Sequence, residues 1–349
     1  MDVDVMVTGQ PLHAVQELAR DAEQAGFSGL VVTEAGRTAY LSCAAAALAG
    51  DLHISTGVAV AFARSPMVTA QVAWELAETT RGRFRLGLGT QVRAHIERRY
   101  GAEFDPPGPR LREYVAAVRA CFDAFGGQRL DHDGEFYRLS LLPAMWAPGE
   151  IDSGPPPIDV AAVNPWMLRM AGEVADGLHV HPLNTPTYLA ETVEPNLAEG
   201  AARAGRDPAG ITRLVPCFAV PGDTEEERRP WRNLARMQVA FYGSTPNYAF
   251  VFEQLGAPET TSRLRERQKA GDLGGMAELI DDELLGHFVV EAGWDELADA
   301  LVARYRHVAD RLILYFAGLA WDRDPTALGR WGEVAREVRE RTAPVDPAQ

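Results

Sequence analysis

The sequence predicts an α/β fold, a (β/α)8 TIM barrel, from three observations. Along its 349 residues, short apolar segments alternate with segments of helical spacing, which is typical of a parallel sheet covered by helices. About eight such pairs occur, enough to close a barrel. A doubly wound open sheet, the alternative, would need a glycine-rich turn after the first strand, but Gly9 stands alone there.

Each element follows from local pattern. The predicted strands are runs rich in β-branched and apolar residues, at 2–8, 29–33, 53–63, 83–89, 158–162, 178–181, 213–220 and 311–316. Helical spacing follows at 11–25, 39–49, 66–80, 110–125, 166–175, 187–204, 224–242, 294–308 and 325–341. Gly26 is a stop signal for the first helix, and Pro66 suits the first turn of the third.

No low-complexity linker divides the chain. We therefore predict one domain over residues 1–341, enlarged by insertions at about 102–157 and 243–291 and followed by a flexible tail at 342–349. We expect the second insertion to roof the pocket with an apolar wall drawn from its aromatic residues and those just before it: Phe241, Tyr242, Tyr248, Phe250 and Phe252.

Composition excludes several classes of partner and chemistry. The net charge is −15, whereas nucleic acids and anionic membranes need a basic surface. Lys269 is the only lysine and lies in a polar stretch, which argues against Schiff-base catalysis. There is no CxxC pair and no run of roughly 18 apolar residues, and the first residues, MDVDVMVTGQ, lack the basic and apolar regions expected of a targeting signal. We expect a cytoplasmic protein with a small-molecule substrate, and a homodimer is compatible with the sequence.

Four segments, in order, resemble the luciferase-like family of flavin and deazaflavin barrel enzymes. They are RSP at 64–66 followed by RGRFRLGLGT at 81–90, GEFY at 134–137, IDVAA at 158–162, and AGEVADG at 171–177. The resemblance covers about residues 1–220 and, more loosely, 293–316. It implies an active site at the carboxyl ends of the barrel strands.

Two segments resemble the F420-dependent branch of the family more than the FMN monooxygenases. They are GVAVAFARSP at 57–66 and GLGTQVRAHIERRYG at 87–101. The resemblance implies coenzyme F420, a hydride-carrying 5-deazaflavin, with FMN as the alternative cofactor. A basic rim for the acidic tail of F420 could come from Arg64, Arg93, Arg98 and Arg99. The arginine-rich composition fits a high-GC actinobacterial source.

The resemblance also implies where the cofactor lies. A non-proline cis peptide at Val60–Ala61 is expected behind the ring. The glycines before Thr90 let backbone approach a flat ring, and Asn164–Pro165 opens a helix whose free N–H groups can hold a phosphate. The predicted cofactor-binding residues are Glu34, Val60, Ala61, Gly89, Thr90, His95, Ala162, Val163, Asn164 and Pro165.

The catalytic candidates are Glu34, His95 and Tyr40, any of which could hold or deliver a proton. Glu34 matches the acidic position that contacts the deazaflavin in relatives. The acid/base residues of the family's sugar-phosphate and alcohol dehydrogenases are absent, since Ala35 and Val92 occupy their positions. This argues against glucose-6-phosphate or secondary-alcohol oxidation.

The preferred function is an F420-dependent oxidoreductase that reduces an activated C=C or C=N bond or oxidises an alcohol. An FMN-dependent monooxygenase is the alternative within the family. A metal-dependent barrel hydrolase is the alternative from another class, but it needs ligands converging from several strands. We expect His179 and His181 to face opposite sides of their strand, and predict no metal site. A binding barrel without catalysis would lack polar groups in its mouth. The presence of Glu34, Tyr40 and His95 argues against this alternative.

Overall fold

The computed structural model describes residues 1–343, and its strands confirm the predicted barrel. They are β1 (Asp2–Val7), β2 (Gly29–Val32), β3 (His53–Thr56), β4 (Ala59–Val60), β5 (Phe84–Gly89), β6 (His132–Asp133), β7 (Arg138–Leu139), β8 (Ile158–Ala161), β9 (Gly177–His179), β10 (Thr212–Pro221), β11 (Val289–Ala292) and β12 (Arg311–Leu314). Eight of them pair in parallel in the order β12-β1-β2-β3-β5-β8-β9-β10. Because β10 also pairs with β12, the sheet closes on itself.

Helices cover the outside of the barrel. They are α1 (Leu12–Ala25), α2 (Ala39–Ala47), α3 (Pro66–Thr79), α4 (Arg93–Arg99), α5 (Pro107–Phe125), α6 (Pro165–Val174), α7 (Pro186–Tyr188), α8 (Glu194–Arg203), α9 (Glu225–Gly243), α10 (Ala249–Gln254), α11 (Thr260–Lys269), α12 (Leu273–Glu278), α13 (Asp282–Gly286), α14 (Trp294–Tyr305), α15 (Ala317–Arg323) and α16 (Leu328–Thr342). A π-helical turn, Leu189–Val193, joins α7 to α8.

The two segments that we predicted as insertions differ in character. Within 102–157, α5 packs against α3 and α6 as a barrel helix does, and the small β6–β7 hairpin follows it. The segment 243–291 contains α10 to α13 and β11, which extends the sheet along the end of β10. Of the predicted tail, Thr342 still belongs to α16 and accepts a hydrogen bond from the Met1 amino group at 2.7 Å. Residues 344–349 lie outside the described part of the chain.

The third strand is shorter than predicted and is interrupted. β3 ends at Thr56, and β4 resumes one residue out of step, because Ser55 pairs with Arg85 whereas Ala59 pairs with Leu88. The Thr56 hydroxyl bridges the two strands at this bulge: it donates to the Gly87 carbonyl at 2.7 Å and accepts from the Gly87 N–H at 2.9 Å. A side chain thus replaces the backbone ladder, and residues 57 and 58 are displaced, as in other β-bulges.

Two buried ion pairs fill the amino-terminal end of the barrel. The Arg85 guanidinium donates two hydrogen bonds to Asp159, at 2.9 and 2.6 Å, and Arg311 donates two to Asp4, at 2.8 and 2.6 Å. Both aspartates are buried. A β-carbon at Gly177 would lie 2.2 Å from Asp159 Oδ1, so the glycine leaves room for the pair.

Above this charged floor lies an apolar layer formed by Met6, Val31, Leu214 and Ile313. His179 belongs to the same level: its Nε2 lies 3.9 Å from Asp159 Oδ2 and has no hydrogen-bond partner within residues 1–343. Burial, followed by the charge of Arg85, lowers the pKa of His179 to about 3. The imidazole is therefore neutral in the folded protein at ordinary pH.

Replacing Arg85 with Met should lower the free energy of unfolding by about 3–5 kcal/mol, because the buried Asp159 carboxylate loses its partner. Urea unfolding measures this change. The matched control is Arg138→Met, which removes the exposed pair with Asp133 and should have no measurable effect. Equal effects of the two substitutions would show that the buried Arg85–Asp159 pair does not stabilise the barrel.

His179 should make stability fall as the solution is acidified. Its folded pKa lies below the unfolded value near 6.5, so the unfolded state binds more protons between about pH 3 and 6.5. In His179→Asn, the slope of unfolding free energy against pH should decrease there by up to about 1.4 kcal/mol per unit. Urea midpoints from pH 4 to 8.5 test this; the slopes should coincide above pH 7, and unchanged acid slopes would contradict it.

Candidate active site

A surface of small and apolar residues lies at the carboxyl ends of three adjacent strands, β3, β5 and β8. It is formed by Gly57 and Val58, Gly89 and Ala161, of which all but Gly89 are partly exposed. A β-carbon at Gly89 would lie 2.6 Å from Val58 Cγ2 and 3.6 Å from the Ala161 β-carbon. The absence of a side chain at Gly89 therefore lets these residues form a continuous surface on which a planar ring can lie.

The cis peptide is displaced from its predicted position. We expected it at Val60–Ala61, but the non-proline cis bond joins Gly57 to Val58, so that prediction was wrong by three residues. Val60 instead ends β4, and Ala61 begins a 3-10 turn; both are buried behind the bulge. The reason is the early end of β3 at Thr56.

Glu34 follows β2 and is held by an ion pair with Arg64, in which both carboxylate oxygens accept from the guanidinium. The Val60 N–H also donates to Glu34, at 2.7 Å. The carboxylate side chain is only 3% exposed. The geometry therefore ties Glu34 to the segment behind the bulge and neutralises its charge.

Tyr40 lies beside this ion pair on α2. The Arg64 guanidinium stacks over its ring at 4.9 Å, and the hydroxyl is buried without a hydrogen-bond partner among the described residues. Burial raises the pKa of Tyr40 well above its ordinary value. The structure thus brings Tyr40 and Glu34 together but buries the Tyr40 hydroxyl.

The other predicted residues lie along the mouth. His95 is exposed on α4, six residues after the end of β5, and is not joined to Glu34 or Tyr40. Thr90 and Val163 are partly exposed, and Ala162 is buried. Asn164 is the N-cap of α6, where its side chain accepts from the Met167 N–H at 3.0 Å, and Pro165 is the first helical residue. The predicted helix opening is confirmed.

The expected basic rim is only partly available. Arg64 is paired with Glu34, and Arg93 is paired with both Glu97 and Asp105. Arg99 donates to the Ala35 carbonyl on the loop after β2. Arg98 is exposed and forms no ion pair or hydrogen bond within residues 1–343. Two of the four arginines thus remain accessible to an acidic group.

An aromatic cluster on the opposite side of the mouth was not predicted as a site. His181, just beyond β9, packs against Tyr242 and Tyr248 with ring centroids 4.8 and 4.3 Å away. The hydroxyls of Tyr242 and Tyr315 form a hydrogen bond of 2.5 Å. We call His181, Tyr242, Tyr248 and Tyr315 the mouth cluster.

The expectation that His179 and His181 face opposite sides was wrong. Residues two apart on a strand share a face, and His179 indeed lies inside the barrel below His181. The spacing was therefore the signal that could have placed His181 in the mouth. Within residues 1–343, no three His, Cys, Asp or Glu side chains lie close enough together to hold a metal ion.

The predicted aromatic wall is divided between mouth and core. Tyr242 and Tyr248 reach His181, as expected of a wall. Phe252 is buried against Phe288, Phe250 packs on Tyr188, and Phe241 is 58% exposed. None of the helices in the described part of the chain is long and apolar enough to cross a membrane.

The barrel and its mouth are those of a known class of enzymes. The sequence model of the luciferase-like monooxygenase family matches residues 2–311. The chain belongs to this family. Membership supports an oxidoreductase or monooxygenase activity and a flavin-type cofactor.

Sequence similarity to individual relatives extends over most of the chain. An uncharacterized protein of Mycobacterium tuberculosis is 39% identical over 308 residues, which cover 86% of this chain and 91% of the relative. The 5,10-methylenetetrahydromethanopterin reductase of Methanolobus tindarius is 26% identical and covers 81% of this chain and 84% of its own. The coenzyme F420 dependent tetrahydromethanopterin reductase of Methanopyrus kandleri has the same fold, with a TM-score of 0.78 at 18% identity and coverage of 98% and 99%.

Glu34 and Arg64 should stabilise the fold as a pair. A double-mutant cycle of Glu34→Ala and Arg64→Met should give a coupling of about 1–3 kcal/mol in urea unfolding, because both side chains are largely buried. The control cycle uses Glu199 and Arg203, an exposed pair on α8, whose coupling should be near zero. If the two couplings are alike, the ion pair does not hold the segment behind the bulge.

Proposed function

We propose that the protein is an F420-dependent oxidoreductase that transfers hydride between C5 of the deazaflavin and a small organic substrate. The observation that carries the proposal is the relationship to methylenetetrahydromethanopterin reductases, which extends over four-fifths of both chains; the reductase of Methanopyrus kandleri, which shares the fold, is described as coenzyme F420 dependent. The reacting group would be an activated C=C or C=N bond, or an alcohol. FMN-dependent oxygenation is the alternative, because the chain belongs to the luciferase-like monooxygenase family.

The residues at the mouth fit such a cofactor. The deazaflavin ring would rest on Gly57 and Val58 and extend across Gly89 and Ala161, where small side chains leave a flat surface. The phosphate would lie at the start of α6, where Asn164 accepts from Met167 and helix N–H groups face outward. Arg98 and Arg99 would attract the acidic tail.

When bound, F420 supplies or accepts the hydride at C5, and the protein contributes binding, orientation and proton handling. Glu34 would hold Val60 and Arg64 behind the ring and so fix the bulge in place. Tyr40, buried beside them, would keep Arg64 oriented. His95, exposed on α4 at the mouth, is our proposed proton donor or acceptor, because an imidazole nitrogen can give or take a proton from a bound ligand.

Titration of the purified protein with F420 and, separately, with FMN tests the cofactor. We expect saturable quenching of F420 fluorescence with an affinity at least tenfold higher than that for FMN. Tight FMN binding without F420 binding would overturn the proposal and favour the monooxygenase.

A substitution at the ring surface tests the position of the cofactor. Ala161→Phe should reduce F420 affinity by more than tenfold, because the new ring would occupy the space beside Gly89 and Val58. Ala209→Phe, on an exposed turn before β10, is the matched control and should bind F420 normally. Circular dichroism confirms that both variants are folded. Normal binding by folded Ala161→Phe would place the cofactor elsewhere.

A further inference from the structure

The mouth cluster contains a histidine whose tautomer is fixed by the backbone. His181 Nδ1 accepts a hydrogen bond from the Leu183 N–H at 3.1 Å, so in a neutral ring the proton must lie on Nε2. The turn that supplies this donor is itself held in place: the Asn184 side-chain amide donates to the His181 carbonyl at 3.0 Å and to the Pro216 carbonyl at 2.9 Å.

The orientation of the ring is fixed as well. Tyr242 contacts the imidazole at an interplanar angle of 81°, and Tyr248 contacts it at 43°. These two rings come from α9 and from the turn Pro246–Tyr248. Since Tyr242 is bonded to Tyr315 on the far side, the aromatic walls around His181 support one another.

His181 stays a neutral donor in this setting. The groups that face it are the rings of Tyr242 and Tyr248, with Tyr315 behind, and no carboxylate or arginine within residues 1–343 forms an ion pair or hydrogen bond with it. Burial lowers the pKa of His181 to about 3. The residue as a whole is nevertheless partly exposed, and its Nε2 is not among the buried unpaired side-chain atoms of residues 1–343, so that Nε2–H is available to a ligand in the mouth.

We propose that His181 binds the organic substrate by donating its Nε2–H to a carbonyl oxygen or imine nitrogen, while Tyr242 and Tyr248 hold a flat, uncharged, unsaturated group. This inference rests on the proposed oxidoreductase function and names its substrate class. A neutral imidazole suits this role because it gives a hydrogen bond without bringing a charge into an aromatic pocket. The same bond would stabilise negative charge that develops on the acceptor atom during hydride addition.

The test compares two ligands of one shape, 1-indanone and indane, which differ in the carbonyl oxygen. Calorimetric titration of the full chain should show 1-indanone binding about fivefold or more tightly than indane, as one neutral hydrogen bond implies. His181→Phe, which keeps an aromatic ring, should abolish this preference, and His181→Gln, which keeps a donor, should restore part of it. His287→Phe, at an exposed histidine, is the matched control and should keep the preference.

Several outcomes would overturn the proposal: no binding of 1-indanone by the wild-type protein, equal affinity for both ligands, or an unchanged preference in His181→Phe. Nitrogen-15 spectra of the wild-type imidazoles give a readout that needs no variant to fold. They should show Nε2-protonated, uncharged His181 at pH 6, and a charged or Nδ1-protonated ring would also overturn it. F420 titration of the same samples reports separately on the cofactor, so failure of one proposal is distinguishable from failure of the other.

Discussion

The hydroxyl of Thr56 controls the shape of the active-site end of the barrel. By bonding both the N–H and the carbonyl of Gly87, it takes the place of one step of the β3–β5 ladder. The chain must then pass around this side chain before β4 can pair again, and the residues it displaces are Gly57 and Val58. The surface of small residues beside Gly89, the buried position of Val60 and the hydrogen bond from its N–H to Glu34 all lie next to that replacement.

The opposite end of the barrel is organised by charge. Four side chains, Asp4, Arg85, Asp159 and Arg311, fill a space that branched apolar residues occupy in many such barrels. Each carboxylate receives two hydrogen bonds from its arginine, which offsets much of the cost of removing the charges from water. Glycines on neighbouring strands provide the volume. The barrel therefore has a rigid polar floor, an apolar middle with one neutral histidine, and a mouth built from small and aromatic residues.

Periodicity predicted the architecture well because strands and helices have distinct repeats that each segment displays by itself. The order of eight strands and the helix opening at Asn164 and Pro165 needed only local pattern. The predictions that failed concerned features that depend on contacts between residues far apart in the sequence. The end of β3 was missed because a hydroxyl that bonds another strand looks, in sequence, like any β-branched strand residue. The pairing of Glu34 with Arg64 spans 30 residues and left no local trace.

The two histidines after Gly177 illustrate a different kind of error. Residues two apart on a strand share a face, but we predicted opposite faces for these histidines. The mouth cluster was therefore not predicted. Its tyrosines come from α9, the turn after it and the residue following β12, segments that only the closed barrel brings together. Tyr40 was overestimated for the converse reason, since an alanine-rich helix shows no polar face from which its burial could be inferred.

The nearly complete use of arginine as the basic residue has a consequence for the alkaline limit of the fold. A guanidinium stays protonated at every pH that a protein meets, so Arg85 and Arg311 keep their charge however basic the solution becomes. Alkaline unfolding must therefore begin at other groups. Tyr114, Tyr188 and Tyr305 are buried phenols whose pKa values burial raises well above the ordinary range. Burial also raises the pKa values of the Cys43, Cys121 and Cys217 thiols, and exposed thiols ionise at lower pH than exposed phenols. We therefore expect base to destabilise the fold through these buried thiols and phenols, and not through loss of the barrel floor.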